Sequence, residues 1–550
     1  MEKAFQEAIL RAIEEQTTNA HEIQQQLLED ILKENAETEY LNKYLNGQID
    51  KQLFKKNVPI VTYEDIKHYI DRIVNGEPSS LFTGTSGGQP KMIPSTDQAS
   101  ETRCSIPLFT EAVLRKHMDC LEYKGKVTYF LFAKPELDTP SAPFGVITCL
   151  DTKQSMYCQL LASLLQRDEV LAVGAAFASA LASIIKFLQD YWKEICSNIR
   201  TGHLSDWITE PACRDGMSSI LTGPNPELAD LLEHIFGNQS WEGILKKLWP
   251  VAKGVDVVVT GTMSQYFNLL DFYSGGLPIV STSYTSSEAC FGINLNPLNK
   301  PSEVSYTFLP ALAYFEFLPV DKDNGSEKAQ KLQVTGVSKE ESAVDLVDVK
   351  VGRCYEVVVT TMGGLYRYRV GDILKVTGFY NNSPQFEFVE RQNVVLSVDT
   401  DKTSESDLLK AIMDATRLLE PLGLLLTSYS SYADTSCAPG RYALFWELKL
   451  KESNTDDLPK LDPKIMEQCC ARVEESLDFT YKFYRKINLI APLEIRVVKQ
   501  GAFVALMDFF VSRGASISQY KTPCCLKLQE AIEILNSKVV GKFFSSKNFS

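Results

Sequence analysis

The sequence predicts an α/β protein in two parts, a large N-terminal α/β domain over residues 1–398 and a smaller C-terminal α+β domain over residues 399–550. Three observations carry that prediction. A chain of 550 residues is too long for one hydrophobic core. The β-branched runs Val255 to Thr260 and Leu277 to Ser281 stand between helical patterns, as buried parallel strands do. Beyond the polar run Thr400 to Asp407 the pattern turns to helix, strand (Tyr442 to Leu450), helix (Pro463 to Ser476), strand (Leu493 to Val498), helix.

Composition narrows the function. With 56 basic against 70 acidic residues, the net charge of −14 argues against sequence-independent binding to nucleic acid, so any bound polyanion must be small and locally cradled. Thirteen cysteines, an odd number without C-x-x-C spacing, suit free thiols in a reducing compartment. The five histidines (His21, His68, His117, His203, His234) offer no metal-ligand spacing and little basis for a catalytic triad. The N-terminus lacks the regions of a signal peptide, which points to the cytoplasm. The Ala-rich run from Val170 to Ile185 falls short of the roughly 20 residues of a membrane span, and reads as a buried core helix inside a helical section from Ser155 to about Asn198.

Along the chain, apolar positions at helical spacing over 4–46 predict two amphipathic helices, and a third follows from Tyr63 to Asn75. A further helix is expected up to about Leu121, then a strand from Val127 to Phe132. Helices are expected from Asn225 to Phe236 and from Trp241 to Leu248, and a strand from Cys354 to Thr361.

Three stretches carry chemistry. In Thr83-Gly-Thr-Ser-Gly-Gly-Gln-Pro-Lys91, the hydroxyls of Thr83, Thr85 and Ser86, three glycines and Lys91 compose a phosphate cradle. It is neither a Walker loop nor a G-x-G-x-x-G turn, and a Gly/Ser/Thr-rich stretch also makes a plain flexible turn. Thr282 to Glu288, after the second strand run, is a hydroxyl-rich turn closed by a carboxylate; a nucleotide belongs there, with a polar β-turn as the alternative. Asp372, after Gly371, ends an alternating strand pattern and can accept both hydroxyls of a ribose, or serve as an ordinary strand-end carboxylate.

With the hinge Ser397-Val-Asp-Thr-Asp-Lys-Thr403 and the closing Gln519-Tyr-Lys-Thr-Pro523 added, these stretches and the block Tyr366-Arg-Tyr-Arg-Val-Gly-Asp372 resemble, in order and nearly end to end, the plant auxin-responsive Gretchen Hagen acyl acid-amido synthetases of the adenylate-forming superfamily. Cys196 to Leu204 and Glu316-Phe-Leu-Pro319 are most similar to the benzoate-conjugating subgroup. The resemblance implies a large adenylate-forming domain and a mobile C-terminal domain. It implies a ligase that adenylates a small carboxylic acid of the benzoate, indole or jasmonate type with ATP, then passes the acyl group to an amino acid. Thr83, Thr85, Ser86 and Lys91 would grip the ATP phosphates, Thr285, Ser286 and Ser287 line the adenylate, Glu288 hold Mg2+, and Asp372 bind the ribose. Lys402 at the hinge and Lys521 from the small domain would exchange places as the domain rotates. For both lysines the alternative is a solvated surface charge. The implied partners are a small carboxylic acid and a free amino acid, without nucleic acid or membrane, and the chain is expected to act as a monomer.

The chain departs from the family's pattern at four places. Thr83 replaces a usual Ser, Thr285 replaces the Gly of Tyr-Gly-Ser-Ser-Glu, Cys524 replaces an Arg, and the segment between Phe144 and Gln154 is shorter than in relatives. A β-branched residue at 285 is expected to crowd the nucleotide, and a shortened sheet to expose an edge. Two alternatives to an active amido synthetase therefore stand: a ligase forming a coenzyme A thioester, and a non-catalytic or impaired form of the same family. The acyl-acid pocket is expected around Ile106 to Arg115 with Tyr129, Met263 and Phe291, and Arg103 or Arg115 is expected to meet a carboxylate.

Overall fold

The computed structural model describes residues 2–74, 81–82, 94–95, 97–118, 125–131, 147–149, 151–237, 240–320, 343–391, 395–398, 401, 403–451, 461–515 and 520–547. The chain divides into two compact units, one of Met1–Glu122 with Thr282–Gln392, the other of Tyr123–Ser281 with Asn393–Ser550.

In the first unit, the helices Glu2–Thr18, Ala20–Asn35, Glu39–Leu45, Lys51–Asn57, Tyr63–Val74 and Asp97–His117 accompany an eight-stranded sheet. Its strands run, edge to edge, Val344–Asp345, Tyr314–Val320, Cys354–Thr360, Tyr368–Tyr380, Ser383–Arg391, Tyr306–Phe308, Cys290–Ile293 and Ser283–Thr285, every neighbour antiparallel. Phe291, Phe308, Phe315, Phe317 and Phe386 build the aromatic core on one face. The amphipathic N-terminal region is helical as expected. One of its polar residues does unexpected work: the Gln24 side chain donates to the carbonyls of Pro310 (2.6 Å) and Ala313 (2.7 Å) and accepts from Phe315 N (2.8 Å), satisfying backbone that would otherwise be buried unpaired.

The second unit holds a parallel sheet of Lys126–Phe130, Val170–Phe177, Gly254–Val258 and Ile279–Val280, in that order. The two expected parallel strands are there, but the expected core helix is not. Val170–Phe177 is a strand and the helix begins only at Ala178, running to Thr201. The helical section from Ser155 is thus two helices, Thr152–Leu165 and Ala178–Thr201, split by a strand. An unbroken apolar run has no period to separate a fully buried strand from a buried helix, and its alanines tilt the reading toward helix.

A second four-stranded sheet in this unit orders Leu424–Asp434, Arg441–Leu450, Glu494–Val498 and Val539–Phe544, with only the middle pair parallel. The helices Glu405–Thr416, Pro463–Ser476, Phe479–Lys486, Ala502–Ser512 and Gln529–Asn536 accompany it. The strand Leu424–Asp434 escaped the sequence reading because it is buried along nearly its whole length and so shows no polar alternation. Its serines instead bond a neighbouring segment, Ser431 N and Oγ both donating to Cys524 O at 2.8 and 2.7 Å.

The short junction is structured where it is described. Cys149 N donates to Ser155 Oγ (2.7 Å), and Asp151 caps the helix Thr152–Leu165 through Lys153 N and Gln154 N. Among the described residues, Lys126–Phe130 is an edge strand, with Val127 58% exposed. No helix among the described residues is long and apolar enough to cross a membrane.

Candidate functional site

The site in the first unit is built on a hairpin. The strands Tyr368–Tyr380 and Ser383–Arg391 turn at Asn381, whose φ of 51° is one that asparagine tolerates. The pairing sets Asp372 directly opposite Arg391. Asp372 therefore lies inside a strand, not at the end of one, and Gly371 before it takes φ +85°.

Asp372 is only 5% exposed. The Tyr284 phenol donates to its Oδ2 at 2.6 Å, and Arg391 Nε approaches Oδ1 at 3.3 Å. Tyr284 stacks on Phe291 with ring centroids 4.4 Å apart, which holds the phenol in place. Burial, and then the charge of Asp372, push the Tyr284 hydroxyl well above its ordinary pKa, so it remains a donor.

Glu288 is buried on the turn after Ser283–Thr285. Ser286 Oγ accepts from Glu288 N (3.1 Å) and Ala289 N (3.3 Å), and Ser286 N donates to Ala289 O (2.8 Å), so this hydroxyl organises the turn that carries the carboxylate. Burial opposes the charge on Arg391, but Asp372 and Glu288 outweigh it and raise the guanidinium pKa. Burial and then Glu288 raise the Tyr368 phenol. Glu288, Asp372, Arg391, Tyr284 and Tyr368 thus form one electrostatic cluster.

Arg391, Tyr284 and Tyr368 were missed in the sequence. For Arg391 a signal existed: it and Asp372 lie the same number of residues out from the Asn381-Asn382 turn on opposite arms of the hairpin.

Thr285 closes its strand, pairs with Cys290, and is exposed. It is not among the residues with positive φ, so this backbone does not require glycine, and a β-branched residue suits it. Thr83, Thr85, Ser86 and Lys91 lie outside the described residues. The two short strands Leu81–Phe82 and Pro94–Ser95 pair antiparallel.

Lys521 belongs to the second unit. It is exposed, with Nζ 4.7 Å from the centre of the Phe177 ring. Lys402 lies outside the described residues, but its neighbours are held firmly. Asp401, fully buried, accepts from Val398 N (3.0 Å) and the Tyr442 hydroxyl, which in turn lies 2.9 Å from Thr403 Oγ1.

Of the residues expected around the acyl acid, Ile106 and Val113 pack with Cys290, Ile293 and Leu309, and Arg115 is paired to Glu111 at 2.8 Å. Phe291 and Met263 are core residues of the first and second units respectively, Tyr129 is 39% exposed, and the Arg103 side chain lies outside the described residues.

The chain matches the GH3 family N-terminal domain over residues 9–142 and 140–279, the GH3 family central domain over 306–391 and the GH3 family C-terminal domain over 406–530. It is 51% identical to the indole-3-acetic acid-amido synthetase GH3.17 of Arabidopsis thaliana, over 98% of this chain and 97% of that one. It is 47% identical to the 4-substituted benzoates-glutamate ligase GH3.12 of the same plant, over 98% of each. Among solved structures it superposes on the acyl acid amido synthetase AtGH3.15 in complex with 2,4-DB with a TM-score of 0.90 and 50% identity, covering 99% and 98% of the two chains. The alignment with GH3.17 runs over 592 positions against 550 residues here, so at least 42 positions of that relative have no counterpart. The break in the N-terminal match at 140–142 falls beside the short junction.

Proposed function

The chain belongs to the GH3 family, and on that premise we propose that it is an ATP-dependent acyl acid-amido synthetase. It joins a small carboxylic acid of the benzoate, indole or jasmonate type to an amino acid. The acid's carboxylate attacks the α-phosphorus of ATP and expels pyrophosphate; the amine then attacks the acyl carbon, loses a proton, and expels AMP. A free carboxylate is a poor electrophile, and the acyl adenylate is a good one, so the protein's task is positioning and charge stabilisation.

The single observation that carries this reading is the cluster around Asp372. Its carboxylate is oriented by Tyr284 and Arg391, which suits it to receive ribose hydroxyls. Ser286 shapes the turn on which Thr285, Ser286 and Ser287 would line the adenylate and which carries Glu288. The Glu288 carboxylate is a hard oxygen donor of the kind Mg2+ takes, and Mg2+ completes its shell with water and phosphate oxygens. Bound there, the ion would neutralise charge on the departing pyrophosphate. Thr83, Thr85, Ser86 and Lys91 would cradle the phosphates. Lys402 and Lys521 would stabilise charge in the two half-reactions, exchanged by rotation of a C-terminal domain that begins near 399.

The deciding experiment is AMP and pyrophosphate release by purified protein with ATP, Mg2+, a panel of benzoates, indole acids and jasmonate, and amino acids. AMP that forms only when both acid and amino acid are supplied establishes the ligase and names its substrates. A second reading, a non-catalytic form of the family, rests on the 42 or more missing positions. Protein that melts cooperatively yet releases no AMP with any pair would put that reading first.

A further inference from the structure

We propose that Tyr266 and Ser179 are positioning residues for Lys521, gripping the chain on either side of that lysine; the inference rests on the role assigned to Lys521 above. Ser179 Oγ donates to the carbonyl of Tyr520 at 3.0 Å. The Tyr266 hydroxyl lies 2.7 Å from Thr522 Oγ1, and both residues are buried, at 4% and 2% exposure. Lys521 lies between these two anchors, its ammonium over the face of Phe177.

The three gripping residues share an origin. Phe177 ends the strand Val170–Phe177, Ser179 stands in the first turn of the helix that follows, and Tyr266 ends the short Gly261–Tyr266 helix beyond the strand Gly254–Val258. All three therefore stand at or beyond the C-terminal ends of parallel strands, the side on which α/β sheets place their working residues. The gripped segment comes from the other end of the chain, 341 residues from Ser179 and 256 from Tyr266. No local preference of the Tyr520-Lys-Thr522 segment could choose these partners.

Packing alone does not account for the grip. A cavity of about 90 Å³ lies beside it, lined by Ser179, Tyr266, Tyr520, Thr522, Glu447 and Lys449. The segment borders space, so directed hydrogen bonds as well as packing define where Lys521 stands. Burial raises the Tyr266 phenol above its ordinary pKa, which keeps its proton available across the working range. A lysine on a segment free to slide would lose the orientation on which charge stabilisation depends.

The test measures both half-reactions, pyrophosphate exchange into ATP and amide formation from preformed acyl adenylate, in Tyr266→Phe, Ser179→Ala, Thr522→Val, Thr522→Ser and Lys521→Ala. Tyr266→Phe and Thr522→Val are expected to lower kcat about 3- to 10-fold, the range of one lost hydrogen bond, in the same half-reaction that Lys521→Ala lowers, with KM for ATP unchanged. Thr522→Ser keeps the hydroxyl and is expected to retain activity. In a Lys521→Ala background, Tyr266→Phe is expected to add nothing. If it lowers the rate by the same factor with and without Lys521, or if neither hydroxyl variant changes kcat while Lys521→Ala does, the positioning role is overturned and the role of Lys521 stands. If Lys521→Ala alters neither half-reaction, the reading of Lys521 falls, and this inference falls with it. Circular dichroism and melting of each variant exclude loss of fold as the cause.

Discussion

Tyr284 and Asp372, 88 residues apart in sequence, meet at 2.6 Å, the phenol donating into a carboxylate whose other oxygen faces Arg391. Neither partner's identity is local to the motif that contains Asp372. The pairing makes the carboxylate a fixed acceptor rather than a freely rotating side chain.

From this relationship follows the first prediction. Asp372→Asn removes the charge that Arg391 and Tyr284 address while keeping the shape. Hydrogen bonds to a charged group are worth about 1.5–3 kcal/mol, so acid-dependent pyrophosphate exchange is expected to fall roughly 10- to 150-fold, with KM for ATP raised. Tyr284→Phe leaves the charge and removes one donor, so a fall of about 3- to 10-fold is expected. Unchanged exchange in Tyr284→Phe beside a fall in Asp372→Asn would remove Tyr284 from the site.

Thr285→Gly is expected to gain no activity. Thr285 occupies an ordinary strand conformation and points outward, so the family's glycine is not demanded by this backbone. Glycine in a strand costs about 0.5–1 kcal/mol, and a slightly lower melting temperature with AMP release no higher than the parent's is the expected pair of results. A rise from undetectable to measurable turnover would show that the threonine does crowd the nucleotide.

Arg367 carries stability, not chemistry. It holds φ 47°, forks onto Glu316 with Nε and Nη2 each at 2.9 Å, and donates from Nη1 to the carbonyls of Lys55 (2.7 Å) and Val58 (2.8 Å). Both side chains are nearly fully buried. Arg367→Ala leaves the Glu316 charge buried and two carbonyls unpaired, so a loss of about 3–5 kcal/mol is expected in urea unfolding. A loss below 1 kcal/mol would contradict the burial argument.

Asp434 predicts an acid-side dependence. Burial pushes its carboxyl up, but hydrogen bonds from Ser436, Arg496 and Tyr432 outweigh burial and hold it at about 2. The folded pKa lies below the unfolded one, so the contribution is complete above the unfolded value near 4, and fades as pH falls toward 2. Its full size is about 2 kcal/mol. Between pH 5 and 3, Asp434→Asn is expected to lose stability less steeply than the parent in melts across pH. Parallel slopes would mean that Asp434 does not titrate with folding.

How much could be read beforehand differs from element to element. The runs around Val255 and Leu277 announced parallel strands because β-branched residues bounded by polar turns leave few other readings. The run from Val170 to Phe177 did not, since it is apolar on both faces and half alanine or glycine. Leu424–Asp434 was hidden for a related reason: both faces are covered, and its serines bond a segment nearly a hundred residues away.

The sequence by itself determined which residues are candidates for the site: hydroxyls, glycines and a lysine within one short stretch, a carboxylate behind a hydroxyl-rich turn, an aspartate behind a glycine, and two late lysines. Such clusters are legible because contiguous residues share one loop, and their chemistry follows from residue type and order. Only the tertiary structure decided which groups address these residues. Tyr284 and Arg391 reach Asp372 through sheet pairing, and Ser179 and Tyr266 reach the segment around Lys521 from helices 341 and 256 residues away. The physical reason is distance along the chain. A hydrogen bond between residues hundreds of positions apart is chosen by the packing of everything between them, and no local pattern encodes that packing.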